Sequence, residues 1–554
     1  MSVILLLLLF AIWMASSPDQ VMYEPSSLVT DAILFVAGYV ILILAVGLWS
    51  RRLARRVTGV HIVRNTRRFN WVISASQVFI PAWLSAGVFA LGWCRSVQSM
   101  LGPVAHWPIE LPGLLLGLSP SLLAWVGLWW AQFPVDRALR EQNLLTRLDS
   151  DLPISAPPSF GQYFLSKLRM QLLFTIAPIV MIVAIRDIAG LTLQLFHIEH
   201  ALGAIDLLVS AGAALLVFLI APEVLRRVLV TESLPDPVLR QRLDVISNRA
   251  GVRCRDVLLW HTHHTVGNAA VMGLLPRFRY VLLSDLLVES LPDEQIAAVF
   301  AHEVGHIRHR HMVWYVLFFI GLSFGFVGLE AAATTFSHHF KLSTDWIGQS
   351  FPFVSLGALV ICFGYVSRRF ERQADVYAAR TMEAITGAGD PTAQFAQQES
   401  RAVPARSGAR RPGSPAHNAD VTPVGALGAR IFNQALLRVM DVNNIPLGTR
   451  GRFAGSLRDR LGFAIEWFAS LAGSWLHGTM ASRMAYITHI SHDAALTASF
   501  DRRMKRIRAG LIATLLACTA WAGVSTYCDQ SPAPTGGGEA MTTAVTPVHT
   551  PAAR

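Results

Sequence analysis

The chain has 554 residues, of which 53% are hydrophobic and only 15% charged, with a mean hydropathy of +0.43. That balance excludes an ordinary soluble enzyme and points to a multi-pass membrane protein. The formal net charge of +11 is almost all arginine, with Lys167, Lys341 and Lys505 the only lysines, and it gathers in loops beside apolar runs. The positive-inside rule accounts for such charge without a nucleic-acid partner. Cys94, Cys254, Cys362, Cys518 and Cys528 form no C-x-x-C pair, which argues against a disulfide framework and a thiolate zinc site.

Within residues 1–27, the run Val3 to Ala15 is apolar but short and lacks a basic start, so it reads either as a poor signal peptide or as a first membrane segment. Long apolar runs follow near 28–49, 71–94, 111–133, 172–197, 201–225, 313–336, 351–366 and 510–527. A bilayer needs about 20 apolar residues per helix, so these runs predict about eight to nine transmembrane helices. Residues 28–225 form a first membrane block, 313–366 a hairpin and 509–528 a last span. Arg51, Arg52, Arg55, Arg56, Arg64, Arg67 and Arg68 follow the first long run, whereas the loop near 95–110 carries only Arg95. The arginine-rich side is expected to be cytoplasmic, and alternation puts 134–171, 226–312 and 367–508 there too.

Residues 226–312 read as a soluble α+β unit. A mixed polar helix is predicted near Pro235 to Ala250, then short strands at Asp256 to Trp260, Val266 to Met272 and Phe278 to Leu283. Ser290 is placed as an N-cap, with Pro292 and Asp293 opening the next helix. Residues 386–425, rich in Ala, Gly, Pro, Ser and Arg, predict a disordered loop, and 426–508 a helical completion of the unit that includes the apolar stretch Phe463 to Trp475. The tail 529–554 has no core-forming pattern.

The chemistry centres on His302-Glu303-Val304-Gly305-His306. On a helix the two histidines, four residues apart, share a face and can hold one Zn²⁺, while Glu303 can act on a metal-bound water. Gly305 inside that helix costs about 1 kcal/mol relative to Ala, a cost explained by a close approach of another backbone or a ligand. A catalytic zinc needs a third protein ligand. The segment Ser367-Arg368-Arg369-Phe370-Glu371-Arg372-Gln373-Ala374-Asp375, following the returning hairpin, offers Glu371, and Asp375 one turn on can hold the far nitrogen of a ligand histidine.

In these elements the sequence resembles the membrane zinc metallopeptidases of the type I CAAX prenyl endopeptidase and HtpX kind. Shared are His302-Glu303-x-x-His306, a membrane hairpin, and Ser367-Arg368-x-x-Glu371-x-x-Ala374-Asp375, over roughly residues 235–380. The resemblance implies a predominantly α, multi-pass membrane protein with a cytoplasmic, zincin-like α+β catalytic unit containing a small β-sheet. It implies one Zn²⁺ per chain on His302, His306 and Glu371, with Asp375 bonding a ligand histidine. Gly267-Asn268-Ala269 followed by Gly273 resembles the family's edge strand, which makes Asn268 and Ala269 candidate substrate contacts by strand addition. Downstream, His477 and Arg483 match a His-Pro…Arg pattern, with Gly478 in place of the proline. His477 is then a candidate for steadying an oxyanion, and Arg483 for pairing with a site carboxylate.

The implied reaction is hydrolysis of a peptide or membrane-protein substrate, with Glu303 as the base, and the implied partner is the lipid bilayer, in a bacterial cytoplasmic membrane. Rival readings are an inactive scaffold or transporter of the same topology and an intramembrane protease of the site-2 type, whose motif lies inside the membrane with an Asp ligand. Arg186 and Asp187 fall in an apolar run and read either as lining a watery chamber or as a buried ion pair. His261, His263 and His264 read as surface turn residues, and His309 and His311 as a basic interface collar with Arg308 and Arg310.

Overall fold

A computed structural model describes residues 28–57, 62–101, 110–148, 157–196, 202–343, 345–386, 423–443, 445 and 476–530. The first 27 residues, positions 387–422 of the predicted loop at 386–425, the stretch Phe463 to Trp475 and the tail from 531 lie outside them. The chain divides into a first unit, Met1–Tyr315 with Leu356–Arg508, and a second, Val316–Ser355 with Ala509–Arg554.

The chain is mostly helical. Its first helices are α1 (Leu28–Ala54), α2 (Ile62–Phe89), α3 (Trp93–Leu101), α4 (Leu111–Leu148) and α5 (Phe160–Lys167). A π turn at Leu168–Leu173 leads into α6 (Phe174–Leu195), and α7 (Leu202–Val228) follows. Phe35, Tyr39, Ile80, Leu128 and Trp129 build an apolar core between α1, α2 and α4. Inside it the Tyr39 hydroxyl donates to Ile80 O at 3.0 Å and lies 2.8 Å from Ser121 Oγ, so this buried hydroxyl is satisfied.

Six helices among the described residues are long and apolar enough to cross a membrane: Leu28–Ala54, Arg68–Phe89, Leu111–Gln142, Phe160–Leu195, His311–His339 and Ala494–Val524. The chain is a multi-pass membrane protein. The runs at 202–225 and 351–366 are helical as well, and the run at 3–15 lies outside the described residues.

Arg186 and Asp187 do not pair with each other. Arg186 Nη1 meets Glu110 Oε2 at 2.6 Å, and Asp187 Oδ2 accepts the backbone N–H groups of Glu110 and Leu111 at 3.0 and 2.9 Å. Both residues fasten the start of α4, and Asp187 supplies orphan helix donors with an acceptor.

The strands among the described residues form a four-stranded mixed sheet in the order β1-β2-β4-β3, from β1 (Thr231–Ser233), β2 (Asp256–Trp260), β3 (Ala269–Met272) and β4 (Tyr280–Ser284). Strand β4 is parallel to β2 and antiparallel to β3, and it is buried along its whole length, which is why Tyr280-Val281-Leu282-Leu283 reads as a continuous apolar run. Strand β3 is an edge strand and begins three residues later than the sequence predicts.

Helix α8 (Pro237–Arg249) starts at Asp236, whose Oδ1 accepts from Val238 and Leu239 N–H. Helix α9 (Asp285–Ser290) is capped by Ser284. Ser290 therefore ends α9 and does not cap the motif helix α10 (Asp293–Arg308), whose N-cap is Pro292. Then follow α11 (His311–His339), α12 (Asp345–Thr386), α13 (Ala426–Val442), α14 (Met480–Ser491) and α15 (Ala494–Gln530). Within the second unit, a Cβ added at Gly321 would lie 3.2 Å from Leu515 Cα.

Candidate metal centre

Helix α10 turns Ile296, Phe300, Ala301 and Val304 into the core and carries His302 and His306 one turn apart. Helix α12 crosses it at Gly305, where an added Cβ would sit 3.1 Å from Ala374 Cα and 3.2 Å from Tyr377 Cβ. The glycine is what lets the two backbones approach, and the approach delivers Glu371 and Asp375 to the histidines.

His302 Nε2, His306 Nε2 and one carboxylate oxygen of Glu371 lie within 4.8 Å of one another. The two Nε2 atoms are 3.2 Å apart, and each lies 3.5 Å from a Glu371 oxygen, Oε2 for His302 and Oε1 for His306. A tetrahedral zinc with bonds of about 2.0–2.1 Å requires donor atoms about 3.3 Å apart, so the triangle has the right size. Glu371 Oε2 is buried and accepts no hydrogen bond, as an atom reserved for a cation would be.

The surrounding charges are matched. Asp375 Oδ1 lies 3.0 Å from His302 Nδ1, close but too bent for a well-formed hydrogen bond. Arg483 on α14 grasps Asp375 with Nε and Nη2, and its Nη1 stands 3.7 Å from Glu371 Oε2. Burial alone raises the Asp375 carboxyl, but Arg483 and His302 outweigh it and hold the group below its usual range. Glu371, likewise penalised by burial, is held well below the carboxylate range by His302, His306 and His477. Burial opposes a charge on His302, but Asp375 and Glu371 raise it to about 9, while burial drives His306 well below its ordinary value. Half-buried Glu303 is raised above the usual carboxylate value, chiefly by burial.

His477, largely exposed, reaches Glu371 Oε1 with Nδ1 at 2.9 Å. Gly478 after it takes φ +75°, a conformation closed to the proline of the resembling pattern. Asn268 and Ala269 open the edge strand: Asn268 O accepts from Ser284 N–H at 3.0 Å and Asn268 N–H donates to Ser284 Oγ at 2.9 Å. With Asn268 facing β4, alternation turns Gly267 and Ala269 to the outer edge.

Two groups are not legible as site residues from the sequence. Asn443, just after α13, pairs its side-chain amide with Gly267 like a one-residue strand, accepting from N–H at 2.9 Å and donating to O at 2.7 Å. His311 belongs to no collar. It is fully buried, stacked on Phe370 with ring centroids 4.5 Å apart, and its Nδ1 is 2.9 Å from His306 Nδ1. The three histidines before β3 do not converge: His261 meets Glu232 at 3.1 Å and His264 meets Glu289 at 3.2 Å. His263 and His264 take φ near +55°, as turn residues.

A comparison with the curated proteins returns no match. Residues 233–444 match the family model described as Peptidase family M48, a span that holds β2, β3, β4, α10, Glu371, Asp375 and Asn443 and stops short of His477 and Arg483. Residues 233–444 of this chain are thus similar to peptidase family M48, and His302, His306 and Glu371 within them form a candidate metal-ligand set.

Proposed function

We propose that the protein is a zinc-dependent membrane endopeptidase that cleaves an extended peptide or membrane-protein substrate, in the manner of a CAAX prenyl endopeptidase or a membrane quality-control protease. The observation that carries this is the triangle of His302 Nε2, His306 Nε2 and Glu371 beside an uncommitted acid, Glu303. Zinc held there would lower the pKa of a bound water toward about 7 and polarise a scissile carbonyl. Glu303 takes the proton of the attacking water and returns it to the leaving amine. His477 steadies the developing oxyanion from the solvent side, Asp375 orients His302, and Arg483 holds Asp375. Substrate lies along the outer edge of β3 beside Asn268 and Ala269, where the backbone groups turned outward are those of Ala269, so side-chain selectivity comes from elsewhere. The arginine-rich loop after α1 supports a site facing the cytoplasm, with the bilayer as the permanent partner.

The test is metal content and cleavage for purified full-length protein and Glu303→Gln. One zinc in both, with cleavage of a membrane-protein substrate by the wild type alone, is the expected result. Equal cleavage by both removes Glu303 from the mechanism, and absence of cleavage by zinc-loaded wild type across prenylated and unprenylated substrates favours a scaffold.

A further inference from the structure

We infer that His311 and Gln373 are positioning residues that lock the tautomer of His306, so that its Nε2 lone pair faces the metal. The inference rests on the zinc reading of the site. His306 Nε2 belongs to the donor triangle, 3.2 Å from His302 Nε2, and its Nδ1 points away to His311 Nδ1 at 2.9 Å. On its other side, His311 Nε2 lies 3.1 Å from Gln373 Oε1. The same Oε1 also receives Arg508 Nη2 at 2.9 Å.

Arginine has donors and no acceptor, so the Gln373 atom it meets is the amide oxygen and not the nitrogen. An oxygen facing His311 Nε2 can only accept, so that nitrogen carries a proton. In the neutral ring the other nitrogen, Nδ1, is then a lone pair. A lone pair 2.9 Å from His306 Nδ1 requires the proton on His306 Nδ1, and this leaves Nε2 bare. The direction of every hydrogen bond from Arg508 to the metal face is fixed by one guanidinium that cannot accept.

The chain path explains why the fifth residue after a ligand can sit against it. On an unbroken helix two residues five apart point about 140° away from each other. Here α10 ends at Arg308, Arg310 takes φ +55°, and α11 begins at His311, which swings the ring back under His306. Stacking on Phe370, itself wholly buried, fixes the plane of the His311 ring. The two ligand histidines are therefore supported differently: His302 has a carboxylate, Asp375, behind it, and His306 has a neutral imidazole and amide relay.

The experiment uses purified full-length protein and three variants. His311→Phe keeps the ring stack and removes the acceptor, His311→Gln restores an acceptor toward His306 with a donor toward Gln373, and Gln373→Leu removes the anchor. Zinc affinity is read by chelator competition and geometry by the visible spectrum of the Co²⁺-loaded protein. His311→Phe should loosen zinc by about 10- to 100-fold, with a shifted Co²⁺ spectrum, and His311→Gln should recover to within about threefold of wild type. Gln373→Leu should fall between them, and it keeps the test open if His311→Phe fails to fold. Unchanged zinc affinity and spectrum in His311→Phe overturns the assignment, as does equal weakening in His311→Phe and His311→Gln, which marks a packing role. Wild-type protein that takes up no zinc overturns the zinc reading itself, before any variant is compared.

Discussion

Arg483 holds Asp375 with two nitrogens at once, Nε to Oδ2 at 2.9 Å and Nη2 to Oδ1 at 2.5 Å, and both residues are buried. Removing one partner strands a charge. Arg483→Met is expected to destabilise the catalytic unit by about 3–5 kcal/mol, and the double variant Arg483→Met/Asp375→Asn should recover a large part of that loss. Thermal unfolding of the two proteins checks this. A double variant no more stable than the single would mean that the arginine serves something other than Asp375.

Gly305 is a second sensitive point, because a methyl there meets Ala374 Cα at 3.1 Å and Tyr377 at 3.2 Å. Gly305→Ala should favour the isolated helix by about 1 kcal/mol and still cost about 1–3 kcal/mol overall through overpacking. It should also push α12 and Glu371 outward, and so lower zinc affinity. A Gly305→Ala protein of wild-type stability and affinity would show that α12 yields freely.

Asn443 serves both backbone groups of Gly267. Asn443→Ala leaves them without this partner, at a cost of about 1–3 kcal/mol if water does not replace it. Amide exchange at Gly267 should rise in the variant, as followed by hydrogen–deuterium exchange mass spectrometry on the peptide that spans β3. Unchanged exchange there would exclude Asn443 as a strand mimic.

Glu371→Gln keeps the shape of the third donor and removes its charge. Metal content should fall well below one per chain, while the fold, seen as a cooperative unfolding transition, persists. Chelator treatment of wild type should abolish cleavage, and added Zn²⁺ should restore it. A Glu371→Gln protein that retains full zinc would move the third ligand elsewhere.

Much of the centre is readable from residue spacing because helices impose it. His302 and His306 share a face by periodicity, and Glu371 and Asp375 do the same on a second helix. The close packing at Gly305 was also foreseeable, since a glycine in mid-helix needs a reason. What spacing does not carry is the direction of a side chain near a break. His311 stands in a basic stretch, Arg308-His309-Arg310-His311, and only the left-handed turn at Arg310 sends it inward. Arg186 and Asp187, neighbours in sequence, diverge on their helix and find partners at Glu110 and Leu111, which no local pattern announces. Strand β1 is three residues, Thr231-Glu232-Ser233, too short and polar to show alternation.

The clasp between Arg483 and Asp375 joins residues 108 positions apart. During synthesis at about 5–20 residues per second, the carboxylate therefore waits about 5–20 s for its counter-charge after it has been made. Through that interval Asp375 lacks the cation that lets it lie buried behind His302, and His477 has not yet been added beside Glu371. The histidine motif and the third donor are thus translated long before their surroundings are. A nascent chain at the ribosome thus carries the candidate metal ligands in an unfinished setting, and the order of translation delivers the counter-charge of Asp375 only 108 residues after it.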